Sequence, residues 1–194
     1  MTGFHAILLA AGAGSRFGGG KLVAPWRGEA LVRHAARAAL AAPVERCIVV
    51  TGCSADEVEA ALAGLDEERL TTVRATDWAS GQAASLRTGV AALPSASQGV
   101  VVFLGDMPQV PHDMASHLLA KIKAGAQAAE SVLTGDPPHP AHPVAFSRSL
   151  YPALLSLQGD RGGRDLLVGA ALVAQVETHD PGATYDVDRR QDLP

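Results

Sequence analysis

Short runs rich in Val, Ile and Leu alternate along the chain with segments of helical periodicity, and this alternation most restricts the possible fold. Apolar runs of this length predict buried strands, which is typical of βαβ units around a mostly parallel sheet. The chain has 194 residues, a length that fits one core. We therefore expect residues 1–194 to form a single three-layer α/β/α domain with a Rossmann-like sheet. The candidate strands are 4–10, 46–51, 70–75, 99–104, 127–133, 143–146 and 172–177.

Three segments between these strands have apolar residues at helical spacing. The first opens with a capping-box pattern, Ser54-Ala55-Asp56-Glu57, and Gly64 is its expected stop. The second begins near Gly81 and ends before Pro94, and the third covers about 111–123. Ligands of open α/β sheets bind beyond the carboxyl ends of the strands, so the segments that follow strands are the candidates for function.

Charge and cysteine spacing exclude several classes of protein. The formal charge is −4 with both signs interspersed, so neither nucleic acid nor a membrane surface is an expected partner. The apolar run at 6–11 is too short to span a bilayer and no Lys or Arg precedes it, which favours a buried strand over a leader. Cys47 and Cys53 lack CxxC spacing, which favours reduced thiols in the cytoplasm over a disulfide framework or a zinc site.

A glycine-rich loop, 12–21, directly follows the first strand. Its glycines let backbone N–H groups approach an anion closely, which predicts a phosphate site. The dinucleotide fingerprint would need glycine where Phe17 stands, and a Walker loop would need Ser or Thr after Lys21. Arg16 offers a planar fork and Lys21 a point charge, which suits a triphosphate whose pyrophosphate must leave. A mobile loop with two solvated cations is the alternative.

Acidic residues follow two further candidate strands. Asp106 comes directly after 99–104, where it fits either an Asx-type turn or an oxygen ligand for Mg²⁺. Asp186 and Asp188 follow the last candidate strand and face the same side if the backbone is extended. One of them is expected to complete a metal site with Asp106, and a solvated turn is the alternative.

Two more groups of polar residues suit the substrates. Thr51 and Gly52 end the second strand, and Gly81 and Ser85 open a helix, so they fit a ribose or a base edge or serve as caps. His142, Arg161 and Arg164 lie in later loops and suit a phosphorylated, oxygen-rich acceptor. Zinc binding by His139 and His142 is an alternative, but the neighbouring prolines prevent helical HxxH geometry and no third ligand is evident.

These motifs together resemble the molybdenum cofactor cytidylyltransferase branch of the MobA-like nucleotidyltransferases. The resemblance is carried by Leu9-Ala10-Ala11-Gly12, by Gly81-Gln82 with Ser85-Leu86, by Gly105-Asp106-Met107-Pro108 and by Gly159-Asp160-Arg161-Gly162. It implies a fold of the nucleotide-diphospho-sugar transferase type and transfer of CMP from CTP to molybdopterin with release of pyrophosphate. Ala11, where guanylyltransferase relatives have glycine, implies a pyrimidine nucleotide, CTP before UTP.

The resemblance also implies roles for individual residues. Arg16, Lys21 and Asp106 are the expected catalytic residues, and Asp106 and Asp188 are the expected ligands of Mg²⁺ or Mn²⁺, with Asp186 in reserve. The expected acceptor-binding residues are His142, Arg161 and Arg164. The expected nucleotide-binding residues are Leu9, Ala10, Ala11, Gly12, Gly14, Arg16, Lys21, Thr51, Gly52, Gly81 and Ser85.

Two departures from the family pattern keep alternatives open. Ala141 precedes His142 where glycine is usual, and Arg189-Arg190 follow Asp188 where Thr-Pro is usual. A sugar or polyol phosphate is therefore a second candidate acceptor for the same chemistry. A nucleotide-binding accessory without turnover, which hands cofactor to a molybdoenzyme, is the candidate from another functional class.

Overall fold

A computed structural model describes residues 3–194, and one seven-stranded sheet with helices on both faces dominates that range. The strands are β1 (Phe4–Ala10), β2 (Pro25–Trp26), β3 (Glu29–Ala30), β4 (Cys47–Thr51), β5 (Leu70–Arg74), β6 (Gly99–Leu104), β7 (Ala128–Leu133), β8 (His139–Ser147) and β9 (Val173–Thr178). The α-helices are α1 (Leu31–Ala41), α2 (Ala55–Leu62), α3 (Gln82–Ala91), α4 (Met114–Lys123) and α5 (Tyr151–Leu155).

The order of strands in the sheet is β5-β4-β1-β6-β8-β7-β9. The pairs β5–β4, β4–β1, β1–β6 and β7–β9 are parallel, whereas β8 runs antiparallel to both of its neighbours. Strands β2 and β3 form a separate two-stranded hairpin. The predicted single-domain α/β fold with a mostly parallel sheet is therefore confirmed.

Alternating residues of β1 explain why both faces of the sheet are covered. Ile7 and Leu8 are fully buried, and because successive strand side chains point to opposite faces they belong to two different core clusters. Leu8 packs in the cluster of α1 and α4, and Ile7 packs in the cluster that contains Leu86 of α3. Within residues 3–194, no helix is long and apolar enough to cross a membrane.

Several local predictions need correction. Helix α1 was not predicted, because its buried face consists largely of alanines that carry a weak hydrophobic signal. Ser54 lies at the start of α2, but its side chain makes no capping hydrogen bond. The strand expected at 143–146 extends over His139–Ser147, because pairing with both β6 and β7 outweighs the low strand propensity of its prolines. Helix α4 begins three residues later than expected, at Met114.

Three parallel strands bring their carboxyl ends to one edge of the sheet. Leu9 of β1 pairs with Val50 of β4 and with Leu104 of β6. Beyond these pairs, the N–H of Gly105 donates to the Leu9 carbonyl at 2.9 Å, and the N–H of Cys53 donates to the Ala11 carbonyl at 3.0 Å. The loops that follow β1, β4 and β6 therefore meet at this edge.

Candidate active site

The glycine loop after β1 is folded into a defined shape. Gly14, Gly18, Gly19 and Gly20 all have φ between 58° and 90°, a backbone region that disfavours other residues. A Cβ on Gly14 would lie 2.9 Å from the Cβ of Lys21, so glycine also permits the close approach of the two ends of the loop. These backbone conformations place the cations of the loop next to the ends of the strands.

Phe17 anchors this loop to the body of the protein. Its side chain is buried in a small cluster with Trp26, Leu31 and Val187. The guanidinium of Arg190 lies 4.9 Å from the centre of the Phe17 ring, a cation–π distance. The segment that follows β9 therefore packs directly on the loop that follows β1.

Two cations of the loop meet carboxylates from distant parts of the chain. Lys21 Nζ lies 2.7 Å from Asp106 Oδ2 and 4.0 Å from Asp188 Oδ1. Arg16 Nη1 donates to Asp188 Oδ2 at 3.0 Å. The Lys21 side chain is only 11% exposed, whereas that of Arg16 is 74% exposed. Lys21 is thus held within the site, and Arg16 stands at its solvent side.

A backbone contact carries the acidic segment after β9 to Asp106. The N–H of Val187 donates to the Asp106 carbonyl at 3.1 Å, and Val187 itself is fully buried. The segment is braced further by Asp192, whose Oδ2 accepts from the N–H of Asp188 at 2.9 Å. Asp186 and Asp188 consequently flank Asp106, although about 80 residues separate them in sequence.

Asp186 and Asp188 have shifted pKa values. The hydrogen bond from Arg16 lowers the pKa of Asp188. The pKa of Asp186 is raised to about 6, first by burial and then by the charge of Asp106, while Lys21 opposes the rise. Burial is the larger cause of this rise, and the neighbouring carboxylate of Asp106 adds to it.

The donor set fits a hard divalent cation that keeps several waters. Asp106 and Asp188 contribute carboxylate oxygens, the ligands that Mg²⁺ and Mn²⁺ prefer, and substrate phosphates commonly complete such sites. Within residues 3–194, no group of three or more His, Cys, Asp or Glu residues is arranged to hold a metal. Zinc binding by His139 and His142 accordingly has no support from the described residues.

A cleft of about 500 Å³ adjoins the charge cluster at the carboxyl ends of β1 and β6. Asp106 reaches both the cleft and Lys21, so the cleft and the cluster form one site. The lining residues are Leu9, Ala11, Gly12, Ala13, Ser15, Trp78, Ala79, Gly81, Gln82, Ser85, Leu104, Asp106 and Asp160. Sequence reasoning missed Trp78, Gln82 and Asp160 as wall residues, although two of them lie in motifs that it had singled out.

Only some of the residues expected to bind the nucleotide line the cleft. Leu9, Ala11, Gly12, Gly81 and Ser85 line the cleft. Ala10 and Lys21 line a smaller pocket beside the glycine loop, Gly14 shapes the loop, and Arg16 is exposed at the solvent side of the site. Thr51 is not brought to the cleft, because it is fully buried and its hydroxyl donates to Glu59 Oε1 at 3.0 Å. Gly52 packs beneath Ala11 and Trp78, and a Cβ there would lie within 3 Å of both.

The three residues expected to bind the acceptor do not line the cleft. Arg161 Nε donates to Asp165 Oδ2 at 2.9 Å. Arg164 donates to Glu130 Oε2 at 2.8 Å and to the Ala141 carbonyl. His142 lies beside Arg164 with its Nδ1 buried and without a hydrogen-bond partner among the described residues. Local ion pairs hold the two arginines, and all three residues lie outside the lining of the cleft.

We expect His142 to make the protein less stable in mild acid. Burial, assisted by the charge of Arg164, lowers its pKa from 6.5 to about 4. Above pH 6.5 the imidazole is neutral in both the folded and the unfolded chain. Between pH 6.5 and about pH 4 the unfolded chain binds a proton at this imidazole, but the folded chain does not. At pH 5 this difference lowers the free energy of unfolding by about 2 kcal/mol, or about 4–8 °C in thermal midpoint.

Thermal midpoints of His142→Gln and of the parent chain, measured between pH 7 and pH 5, check this expectation. The variant should lose less stability than the parent over that range. His139→Gln, at an exposed position in the same strand, is the matched control and should follow the parent. Equal pH slopes for all three proteins would contradict the role given to His142.

Comparison with known proteins identifies relatives that match most of this chain. A model of the MobA-like NTP transferase domain matches residues 6–177. Nicotine blue oxidoreductase of Paenarthrobacter nicotinovorans is 32% identical over 94% of this chain and 90% of its own length. Purine catabolism protein PucB of Bacillus subtilis is 30% identical over 94% of this chain and 90% of its own length.

Solved structures with the same fold include one that contains a metal. Rv0371c of Mycobacterium tuberculosis, in complex with manganese, superposes with a TM-score of 0.72 at 25% identity and covers 90% of this chain and 87% of its own. A nucleotidyl transferase of Methanothermobacter thermautotroptrophicus gives a TM-score of 0.79 at 25% identity, with 97% and 93% covered.

Proposed function

The chain belongs to the MobA-like NTP transferase family, and from this premise we propose that it transfers CMP from CTP to a phosphorylated acceptor of the molybdopterin type, releasing pyrophosphate. Nucleotidyl transfer itself is the common chemistry of the family. CTP as donor and molybdopterin as acceptor are the specific parts of the proposal, and they rest on the motifs Leu9-Ala10-Ala11-Gly12 and Gly81-Gln82.

One observation carries the proposal: Arg16 and Lys21 of the glycine loop converge on Asp106 and Asp188 beside a cleft. In the proposed reaction, a phosphate oxygen of the acceptor attacks the α-phosphorus of CTP. The bond between that phosphorus and the oxygen that bridges to the β-phosphate breaks, and pyrophosphate leaves with the electron pair. Arg16 and Lys21 stabilise the charge that develops on this leaving group.

Substrate binding requires the ion pairs of the site to exchange partners. In the structure, Lys21 contacts Asp106 and Arg16 contacts Asp188. We propose that both cations turn to the phosphates of CTP, which frees the two carboxylates to hold Mg²⁺ or Mn²⁺. A divalent cation at that position supplies positive charge to the phosphate oxygens. The manganese complex of a structural relative supports the use of a divalent cation.

Pyrophosphate release tests the proposed function. The purified chain is incubated with CTP, UTP, GTP or ATP and Mg²⁺, with molybdopterin, a sugar phosphate or a polyol phosphate as acceptor. We expect release to be fastest with CTP and molybdopterin. Release only with a sugar or polyol phosphate would keep the reaction and replace the acceptor. If CTP binds but no combination releases pyrophosphate, the chain would be a nucleotide-binding accessory and not an enzyme.

That accessory function, nucleotide binding without turnover, is the second candidate. One relative is called an oxidoreductase and the other a purine catabolism protein, and neither name states a nucleotidyl transfer. A dinucleotide-dependent redox activity of this chain itself is disfavoured, since Phe17 interrupts the fingerprint.

We propose a cytoplasmic protein whose product passes to a molybdoenzyme, in keeping with the free thiols of Cys47 and Cys53.

Base choice gives a prediction at Ala11. Ala11 lines the cleft, and its side chain lies close to the backbone of Gly52. We propose that its methyl group leaves little room for a larger purine edge. We expect Ala11→Gly to reduce the ratio of kcat/KM for CTP to that for GTP by about tenfold, since space is gained but no new hydrogen bonds to guanine are formed. Ala63→Gly, the same change at an exposed position outside the cleft, should leave the ratio unchanged. A parent chain that prefers GTP would end the cytidylyl assignment.

A further inference from the structure

The wall of the cleft formed by the start of α3 and the loop at 159–162 is built by two glycines. Gly81 has φ of 113° and Gly159 has φ of 66°. The N–H of Ala83 donates to the Gly159 carbonyl at 3.0 Å, which fixes the loop on the helix. A Cβ on Gly81 would lie 2.4 Å from the backbone of Gly159 and 2.7 Å from Asp160 Oδ1. Glycine at 81 therefore allows the Asp160 carboxylate to sit over the beginning of α3.

The charge on this wall is negative rather than positive. The guanidinium groups of Arg161 and Arg164 turn to Asp165 and Glu130. Of the described residues that line the cleft, only Asp106 and Asp160 are charged. Asp106 is paired with Lys21, whereas Asp160 has no hydrogen bond or ion pair within residues 3–194. An unpaired carboxylate repels phosphate, so this wall is unsuited to the phosphate of either substrate.

The neighbouring groups suit a flat, neutral ring. Trp78 contributes an indole that is partly buried against the core. Ser85 lines the same cleft, and its hydroxyl forms no hydrogen bond with the described residues. Gln82 adds an amide at the rim. An aromatic surface beside a hydroxyl, an amide and a free carboxylate can bind a heterocycle through its face and its N–H edge.

We propose that Asp160 determines specificity by accepting hydrogen bonds from the N–H edge of a neutral heterocycle held in this cleft. This inference rests on the proposed function, because the heterocycle is either the base of the NTP or a ring of the acceptor. Cytosine carries an exocyclic amine, and a 2-aminopteridine carries an amine beside a ring N–H. Uracil presents carbonyl oxygens on both sides of its single N–H, and these would face the carboxylate unfavourably.

Asp160 also lies near the first turn of α3, where a negative charge stabilises the helix dipole. That structural role would make Asp160→Asn less stable but would not change the choice among ligands. Loss of a hydrogen bond to the Asp160 carboxylate should weaken only those ligands that donate to it. A change in ligand selectivity therefore distinguishes recognition of the ring from stabilisation of α3.

Calorimetric titration of the parent chain, Asp160→Asn and Asp160→Ala tests the inference. The probes are CTP and UTP with Mg²⁺, then 6-hydroxymethylpterin phosphate and ribitol phosphate. Asp165→Asn, a carboxylate removed from the same loop outside the cleft, is the matched control. Circular dichroism establishes that each variant is folded before the titrations are compared.

If the ring is the base, both Asp160 variants should bind CTP about 10- to 100-fold more weakly than the parent chain does. Their affinities for UTP and for the pterin should be unchanged. If the ring belongs to the acceptor, the affinity for the pterin should fall by the same factor and the affinity for CTP should be unchanged. Either result supports the inference, even if no pyrophosphate is ever released. Equal affinities of the parent and both folded variants for all four probes, or a uniform loss across them, would overturn it.

Discussion

Replacing Lys21 by alanine is expected to reduce kcat for nucleotidyl transfer by about 10²- to 10³-fold, as loss of one group that stabilises transition-state charge typically does. Lys21 is the cation held deepest in the site, 11% exposed and 2.7 Å from Asp106. No other described cation lies within 4.0 Å of Asp106. Arg16, which is bound to Asp188 at the solvent side, should not replace it.

The effect of Lys21 on the folded state should be small in comparison. Its removal takes away the ion pairs with Asp106 and Asp188 and leaves an anionic cluster with more capacity to bind a divalent cation. We therefore expect Mn²⁺ affinity without nucleotide, measured by electron paramagnetic resonance, to increase. Lys21→Met keeps most of the aliphatic side chain, so it distinguishes loss of the charge from loss of packing. Lys121→Ala on α4 is the control. Turnover near that of the parent in both Lys21 variants would falsify the phosphate role.

Asp106→Asn is expected to reduce kcat by about 10²-fold or more, because it removes a charged ligand from the site proposed for the divalent cation. Asparagine keeps the size of the side chain, and the Asp106 carbonyl can still accept from the N–H of Val187. The Mn²⁺ affinity should fall, which is the opposite of the change expected for Lys21→Ala. The two variants thus shift metal binding in different directions while both lose turnover.

Folding of the Asp106→Asn protein provides the second measurement. The pair with Lys21 is partly exposed at Asp106, so its loss should lower stability by about 1 kcal/mol, or about 2–4 °C in thermal midpoint. Asp113→Asn, at the exposed start of α4 where the side chain makes no capping hydrogen bond, is the control. A much larger loss of stability with normal turnover would show that Asp106 is a turn residue instead.

The sequence by itself determined the class of fold and one end of the site. Apolar runs such as Phe4–Ala10 identify buried strands because their signal is local and both faces of each strand are covered. The glycines of the loop at 12–21 permit the backbone conformations seen there without help from distant residues. Asp106 could be placed at the edge of the sheet because it directly follows a strong strand.

Only the tertiary structure decided which polar groups meet. The contact of Val187 with Asp106 spans about 80 residues, and no local pattern encodes such a pairing. Arg164 looked suitable for an anionic acceptor, but its guanidinium forms an ion pair with Glu130 of β7. Asp160 enters the cleft because Gly81 and Gly159 allow two backbones to touch. Side-chain direction depends on partners from elsewhere in the fold, so spacing along the chain could not supply it.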